Sequence, residues 1–134
     1  LHAGWKGCLN SIIHNAVKDI AKINRDKHKL IAVVGPCLGK KNFEVGEDFK
    51  NMFVKQDSNC IKFFNKKINQ KKLKFDMRGL INYQLKKSKV GKIINVNMDT
   101  YSQNNLFFSH RYSSHQGNGP TGRMINLIGF SDSD

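Results

Sequence analysis

Apolar positions in the first part of the chain fall at Leu9, Ile12, Ile13, Ala16, Val17, Ile20 and Ile23. That spacing marks one face of a helix, which we expect from about Cys8 to Asn24, with Gly7 at its start. The run KHKLIAVVG then reads as a short buried strand ending at Gly35. Gly35, Pro36 and Gly39 make GPCLGKKNFEV a turn or loop. GEDFKNMFVKQ is a short helix with Phe49, Met52 and Phe53 on one side, and the lysine-rich NKKINQKKLKF is an exposed hairpin or loop. A second amphipathic helix is expected from about Asp76 to Ser88. Met77, Leu80, Ile81 and Leu85 form its apolar face, and Asp76 is suited to accept from its free N–H groups. KIINVNM and LFFSH read as strands, RYSSHQGNGPTGR as a polar, glycine-rich loop, MINLIGF as a buried strand and SDSD as a frayed tail.

The resulting order is helix, strand, two helices and three strands, which predicts an α/β or α+β fold with a mixed sheet. Residues 1–130 fit a single domain and 131–134 a disordered tail. The first helix needs a sheet to cover its apolar face, and the chain supplies little sheet for the purpose.

Composition narrows the function classes. The longest apolar run, Leu30 to Val34, is strand-length and far short of the ~20 residues that span a bilayer. No secretory signal pattern is visible. Cys8, Cys37 and Cys60 are odd in number and widely spaced, which predicts reduced thiols in a cytoplasmic protein. The formal net charge of +13 raises the possibility of a basic nucleic-acid-binding module. Most basic residues are lysines, scattered apart from the cluster Lys66 to Lys74, whereas phosphate contacts need a concentrated basic surface. Lysine, asparagine and isoleucine abundance together matches A/T-rich codons, a simpler source of the charge.

Two groups of residues carry candidate chemistry. His2 precedes a glycine-punctuated turn, HAGWKG, where an imidazole could serve as metal ligand or general base. A frayed terminal histidine is the competing reading. His14, His28, His110 and His115 pair with no cysteine at a metal-binding spacing. Arg111 and Arg123 bracket the late glycine-rich loop. Arginines suit two-pronged binding of phosphate or carboxylate, although solvated surface arginines look the same in sequence. No Walker loop, dinucleotide fingerprint or Ser-His-Asp signature is present.

Taken together, HAGWKG, GPCLGKKNFEV, FFSHRY and TGRM resemble the HAGWRG, GPxIGxxxFEV, FFSYRR and TGRM blocks of one bacterial family, in order, from residue 2 to residue 124. Long described as polyphenol oxidases or multicopper laccases, its members are now described as zinc-dependent purine nucleoside phosphorylases. The resemblance implies a layered α/β/β/α sandwich with mixed sheets. It also implies cleavage of adenosine, inosine and methylthioadenosine by phosphate to base and ribose 1-phosphate, with adenosine deamination also ascribed to the family. Zinc, with copper possible, is the implied metal. Its ligands are a histidine and a cysteine from blocks upstream of HAGW, plus the HAGW histidine, which corresponds to His2. The chain thus resembles the C-terminal half of the family. That leaves open an inactive fragment, a homodimer or a complementing chain. Asp99 stands where members often carry a cysteine, His110 replaces a tyrosine, and Lys6 replaces an arginine.

Overall fold

A computed structural model describes residues 1–23, 29–66 and 71–129. The fold is α+β. Among the described residues, α-helices run Trp5–Leu9 (α1), Ile12–Ile23 (α2), Glu47–Gln56 (α3), Met77–Lys87 (α4) and His110–His115 (α5). Strands run Ile31–Val34 (β1), Glu44–Val45 (β2), Phe64–Asn65 (β3), Leu73–Phe75 (β4) and Lys92–Asn95 (β5). β1 and β5 form a parallel pair, with Val33 opposite Ile94, and β2-β4-β3 form a separate antiparallel sheet.

The predicted long first helix is instead two. Gly4, not Gly7, caps α1, and Ser11 takes a left-handed conformation (φ 60°) that ends α1 before α2 begins. Burial explains why the periodicity misled. Only Ile13 and Val17 of α2 are buried, while Ile20 and Ile23 are exposed, so the apolar stripe outruns the surface that covers it.

The α4 expectation holds in detail. Met77, Leu80, Ile81 and Leu85 are all buried, and Asp76 caps the helix by accepting from the Gly79 N–H at 2.8 Å. The helix ends at Lys87 with Ser88 as its C-cap, where the sequence placed its end. Lys89 turns left-handed (φ 62°), and the Val90 N–H then reaches the Leu85 carbonyl, so the last carbonyls are satisfied without a glycine.

The core is aromatic. Phe75 is fully buried, with ring centroids of Phe43, Phe49, Phe53 and Phe64 at 5.1, 5.2, 5.4 and 4.8 Å. Phe64 and Phe75 face each other across the β3–β4 pair. The NKKINQKKLKF stretch therefore holds the ends of a hairpin, with residues 67–70 outside the described part. Beside it, Lys74 and Glu44 are register partners of β4 and β2 and form an ion pair at 2.7 Å.

Two expected strands are absent. LFFSH forms a turn that leads into α5, with the Ser109 hydroxyl capping that helix, so part of the predicted polar loop is helical. MINLIGF runs without a strand partner through its described residues, and Ile125, Leu127 and Ile128 are exposed. Its apolar composition had suggested burial, but no neighbouring strand of the described residues pairs with it. The expected tail at 131–134, and His28, lie outside the described residues.

Truncating Phe75 removes the ring that four others touch. Phe75→Ala should lower unfolding free energy by about 3–5 kcal/mol, whereas Ile23→Ala, on the exposed end of α2, should change it by less than about 0.5 kcal/mol. Urea denaturation followed by circular dichroism measures both.

Candidate functional site

The four sequence blocks meet in space. Trp5 of HAGWKG packs on Phe49 of α3 at 5.0 Å between ring centroids. Phe49 packs on Phe43 of the GPCLGKKNFEV block at 6.2 Å. The guanidinium of Arg111, on α5, lies over the Phe43 ring at 5.5 Å, and its Nη1 donates to the Glu44 carbonyl at 3.1 Å. TGRM closes against FFSHRY, because a Cβ added at Gly122 would meet the Phe108 ring at 2.7 Å. A side chain there would push the exposed Phe108 ring aside.

The loops after the two parallel strands are tied by Asp99. Its carboxylate accepts from the Gly39 N–H (2.9 Å), the Tyr101 N–H (2.9 Å), the Asn42 amide (2.6 Å) and the Ser102 hydroxyl (3.0 Å). Burial opposes the charge on Asp99. The Gly39 and Tyr101 N–H groups, then Asn42 and Ser102, outweigh it and hold the carboxyl below the usual range. A Cβ at Gly39 would stand 2.5 Å from Oδ2, so glycine here lets the loop sit on the carboxylate. Cys37 bridges to Asp99 through backbone, and Asn126 lies against Gly35. Loops gathered at the carboxyl ends of parallel strands are where ligands bind in open α/β sheets. Sequence reasoning noticed Asp99 only as a departure from a cysteine. Its four-donor role was not visible, because its donors come from as far as sixty positions away.

A cleft of about 250 Å³ lies beside this junction, lined among others by Cys37, Lys40, Arg78 and Asn82. Arg78 leaves the start of α4 and donates to the Met98 carbonyl at 2.8 Å, joining α4 to the loop after β5. Burial pushes the Cys37 thiol up, so it is protonated rather than a ready nucleophile.

His2 is exposed, and its Nε2 lies 2.9 Å from where a Gly4 Cβ would be. The glycine after the histidine thus makes room for the imidazole. Arg123 is exposed and donates to the carbonyls of its own turn, Thr121 and Gly122. Arg111 and Arg123 therefore sit on blocks that touch, but Arg111 is committed to Phe43 and Glu44, and neither shares a described contact with His2. Among the described residues no group of three or more His, Cys, Asp or Glu side chains is placed to hold a metal ion. Among the described residues no helix is long and apolar enough to cross a membrane.

A second polar cluster went unnoticed in the sequence. Asp57 accepts from Lys87 and Tyr83, each at 2.8 Å, and from the Asn59 N–H. It borders a cleft of about 370 Å³ that also reaches Cys8, His14 and Cys60. Burial raises the Cys8 thiol to about 11, which makes it inert at neutral pH.

The chain belongs to the multi-copper polyphenol oxidoreductase laccase family, whose profile matches residues 1–131. Among its relatives is a purine nucleoside phosphorylase of Rickettsia conorii, 35% identical over 114 residues, covering 85% of this chain and 47% of that protein. Another, the purine nucleoside phosphorylase of Haemophilus influenzae, is 29% identical over 130 residues, covering 96% of this chain and 50% of that one. A solved Neisseria meningitidis protein superposes with a TM-score of 0.72 at 28% identity, over 83% of this chain and 44% of that chain. The chain spans about half the length of the curated relatives it matches.

The Asp57 network sets a pH dependence. The Lys87 and Tyr83 hydrogen bonds, in that order, hold its carboxyl well below the usual carboxylate range. A folded pKa below the unfolded one stabilises the fold above about pH 4, and that contribution is lost as pH falls further. Thermal melts between pH 7 and pH 3 should show a steeper acid loss for the native chain than for Asp57→Asn. Parallel curves would show that Asp57 plays no such part.

Proposed function

We propose that this chain contributes to a purine nucleoside phosphorylase. The observation that supports the reading most is the contact of all four family blocks through Trp5, Phe49, Phe43, Arg111 and the Gly122–Phe108 closure. The reaction would be displacement at the anomeric carbon. A phosphate oxygen bonds to C1′ as the C1′–N9 bond breaks, the purine leaves with that electron pair and takes up a proton, and ribose 1-phosphate forms. Inosine, adenosine and methylthioadenosine all carry that bond.

In this reading Arg123 binds phosphate. It is an exposed cation on a glycine-bordered turn, able to reorient from backbone carbonyls to a dianion. Arg111 adds positive charge at a position fixed by Phe43 and the Glu44 carbonyl.

The zinc implied by the family resemblance, or copper in its place, does not fit the described residues alone. His2 supplies one imidazole and no described partners join it. A partner-dependent half is the second reading, favoured by that incomplete donor set and by the half-length match. The scattered lysines leave a nucleic-acid module the weaker alternative.

Hypoxanthine release from inosine tests the proposal, with the chain assayed alone and with the remaining half of a relative added. Release should require phosphate, and Arg123→Ala should raise the phosphate KM by roughly tenfold or more, the loss of one charge-assisted hydrogen bond. Release that ignores phosphate would contradict phosphorolysis, and an unchanged phosphate KM would remove Arg123 from the role.

A further inference from the structure

Arg111 stands on a helix that burial does not hold in place. The six residues of α5 include no buried side chain, and so short a helix is marginal by itself. Beyond its Ser109 cap, α5 is placed by contacts on two sides. On one side the Arg111 guanidinium lies over the Phe43 ring and its Nη1 donates to the Glu44 carbonyl. On the other, the Tyr101 ring meets those of Tyr112 and His115 edge-on, each at 5.5 Å between centroids. The Tyr101 hydroxyl lies 2.9 Å from His115 Nδ1. Both sides lead back to one carboxylate. The Gly39 carbonyl accepts from the Asn42 and Phe43 N–H groups at 2.9 and 3.0 Å, closing a turn that ends at the ring under Arg111. Asp99 takes the Gly39 N–H on Oδ1 and the Asn42 amide on Oδ2, so it grips that turn near both ends. It also takes the Tyr101 N–H on Oδ1.

We propose that Asp99 is a positioning residue for Arg111, one carboxylate that sets both the turn beneath the guanidinium and the tyrosine behind α5. An ionised carboxylate accepts on both oxygens and donates on neither, which is what four converging donors require. Gly39, Asn42, Tyr101 and Ser102 supply those donors, and together they outweigh the burial that opposes the charge. A thiol, which family members often carry at this position, is a weak acceptor with a single sulfur and could not collect them. The device therefore belongs to this chain's own residue and not to the family blocks. Through it Arg111 gains a fixed place without being fully buried, so its charge stands ready for negative charge that develops in a transition state. The catalytic consequence rests on the phosphorolysis reading, whereas the geometry does not.

Nuclear magnetic resonance of the chain tests the geometry without any activity. The Phe43 ring should shift the Arg111 side-chain protons upfield. Asp99→Ala should abolish that shift and the Tyr101–Tyr112 ring cross-peaks, while the Phe43–Phe75 cross-peaks stay. Asp99→Asn keeps one acceptor oxygen and should keep part of both signals. Tyr101→Phe loses only the hydroxyl that faces His115 and should reduce the Arg111 shift with the Asp99 bonds intact. In phosphorolysis of inosine, Asp99→Ala should lower kcat about tenfold to a hundredfold, the cost of misplacing a group by roughly 1 Å. The phosphate KM, assigned to Arg123, should stay unchanged. Arg111→Ala should lower kcat alike, and the double variant should fall no further, because two residues acting as one unit do not add. An Arg111 shift that persists in Asp99→Ala overturns the proposal, as do additive losses in kcat. If Asp99→Ala loses the core cross-peaks, the milder variants decide, and an Arg111 shift unmoved in both Asp99→Asn and Tyr101→Phe overturns it. Shifts that move as expected in a protein without phosphorolysis leave Asp99 as the residue that places Arg111 and remove the phosphorylase reading.

Discussion

The fold depends on the burial of one ring. Phe75 sits at the end of β4 with no exposed surface, and four other phenylalanine rings lie within 5.4 Å of it. Those rings come from the loop after β1, from α3 and from β3. Burying them together joins segments that share little hydrogen bonding, since β2, β3 and β4 are only two or three residues long. Aromatic pairs in tilted and edge-on arrangements add roughly 0.5–1.5 kcal/mol each beyond area burial. In a chain whose sheets are this small, that contribution takes the place of long strand ladders.

The same cluster reaches the chemistry. Phe49 carries Trp5, and hence the HAGWKG turn, while Phe43 carries the Arg111 guanidinium. A structural ring stack thereby sets where two candidate functional blocks stand relative to each other. Asp99 performs the equivalent task in polar form, collecting the loops after β1 and β5 on one carboxylate. The parallel pair between them packs Ala32, Val34 and Ile93 against the core and leaves Ile31, Val33 and Ile94 exposed.

What the sequence made legible follows from locality. The α4 helix could be read completely, because its cap and its four apolar positions lie within ten residues and all are buried. The α3 helix was also readable, whereas the stretch NKKINQKKLKF, read as an exposed hairpin or loop, carries the buried Leu73 and Phe75. The first helix was misread at Ser11, because one left-handed residue breaks a helix without disturbing apolar periodicity. MINLIGF was misread for a different reason. Its pattern encodes a strand, but a strand also needs a neighbour, which the described chain does not provide. Of the site, His2, Arg111 and Arg123 were chosen by residue type and family block. Asp99 was met only as a departure from a cysteine, and Arg78 and the Asp57 cluster were not found, because the partners that join them to other elements lie about twenty to sixty positions away.

The central claim is that these 134 residues bring the family blocks together around a shared aromatic core. Nuclear Overhauser spectroscopy on the isolated chain tests it most directly. The account predicts dispersed spectra with cross-peaks from the Trp5 indole to the Phe49 ring and from the Phe43 ring to the Phe75 ring. A collapsed spectrum lacking those cross-peaks would contradict it.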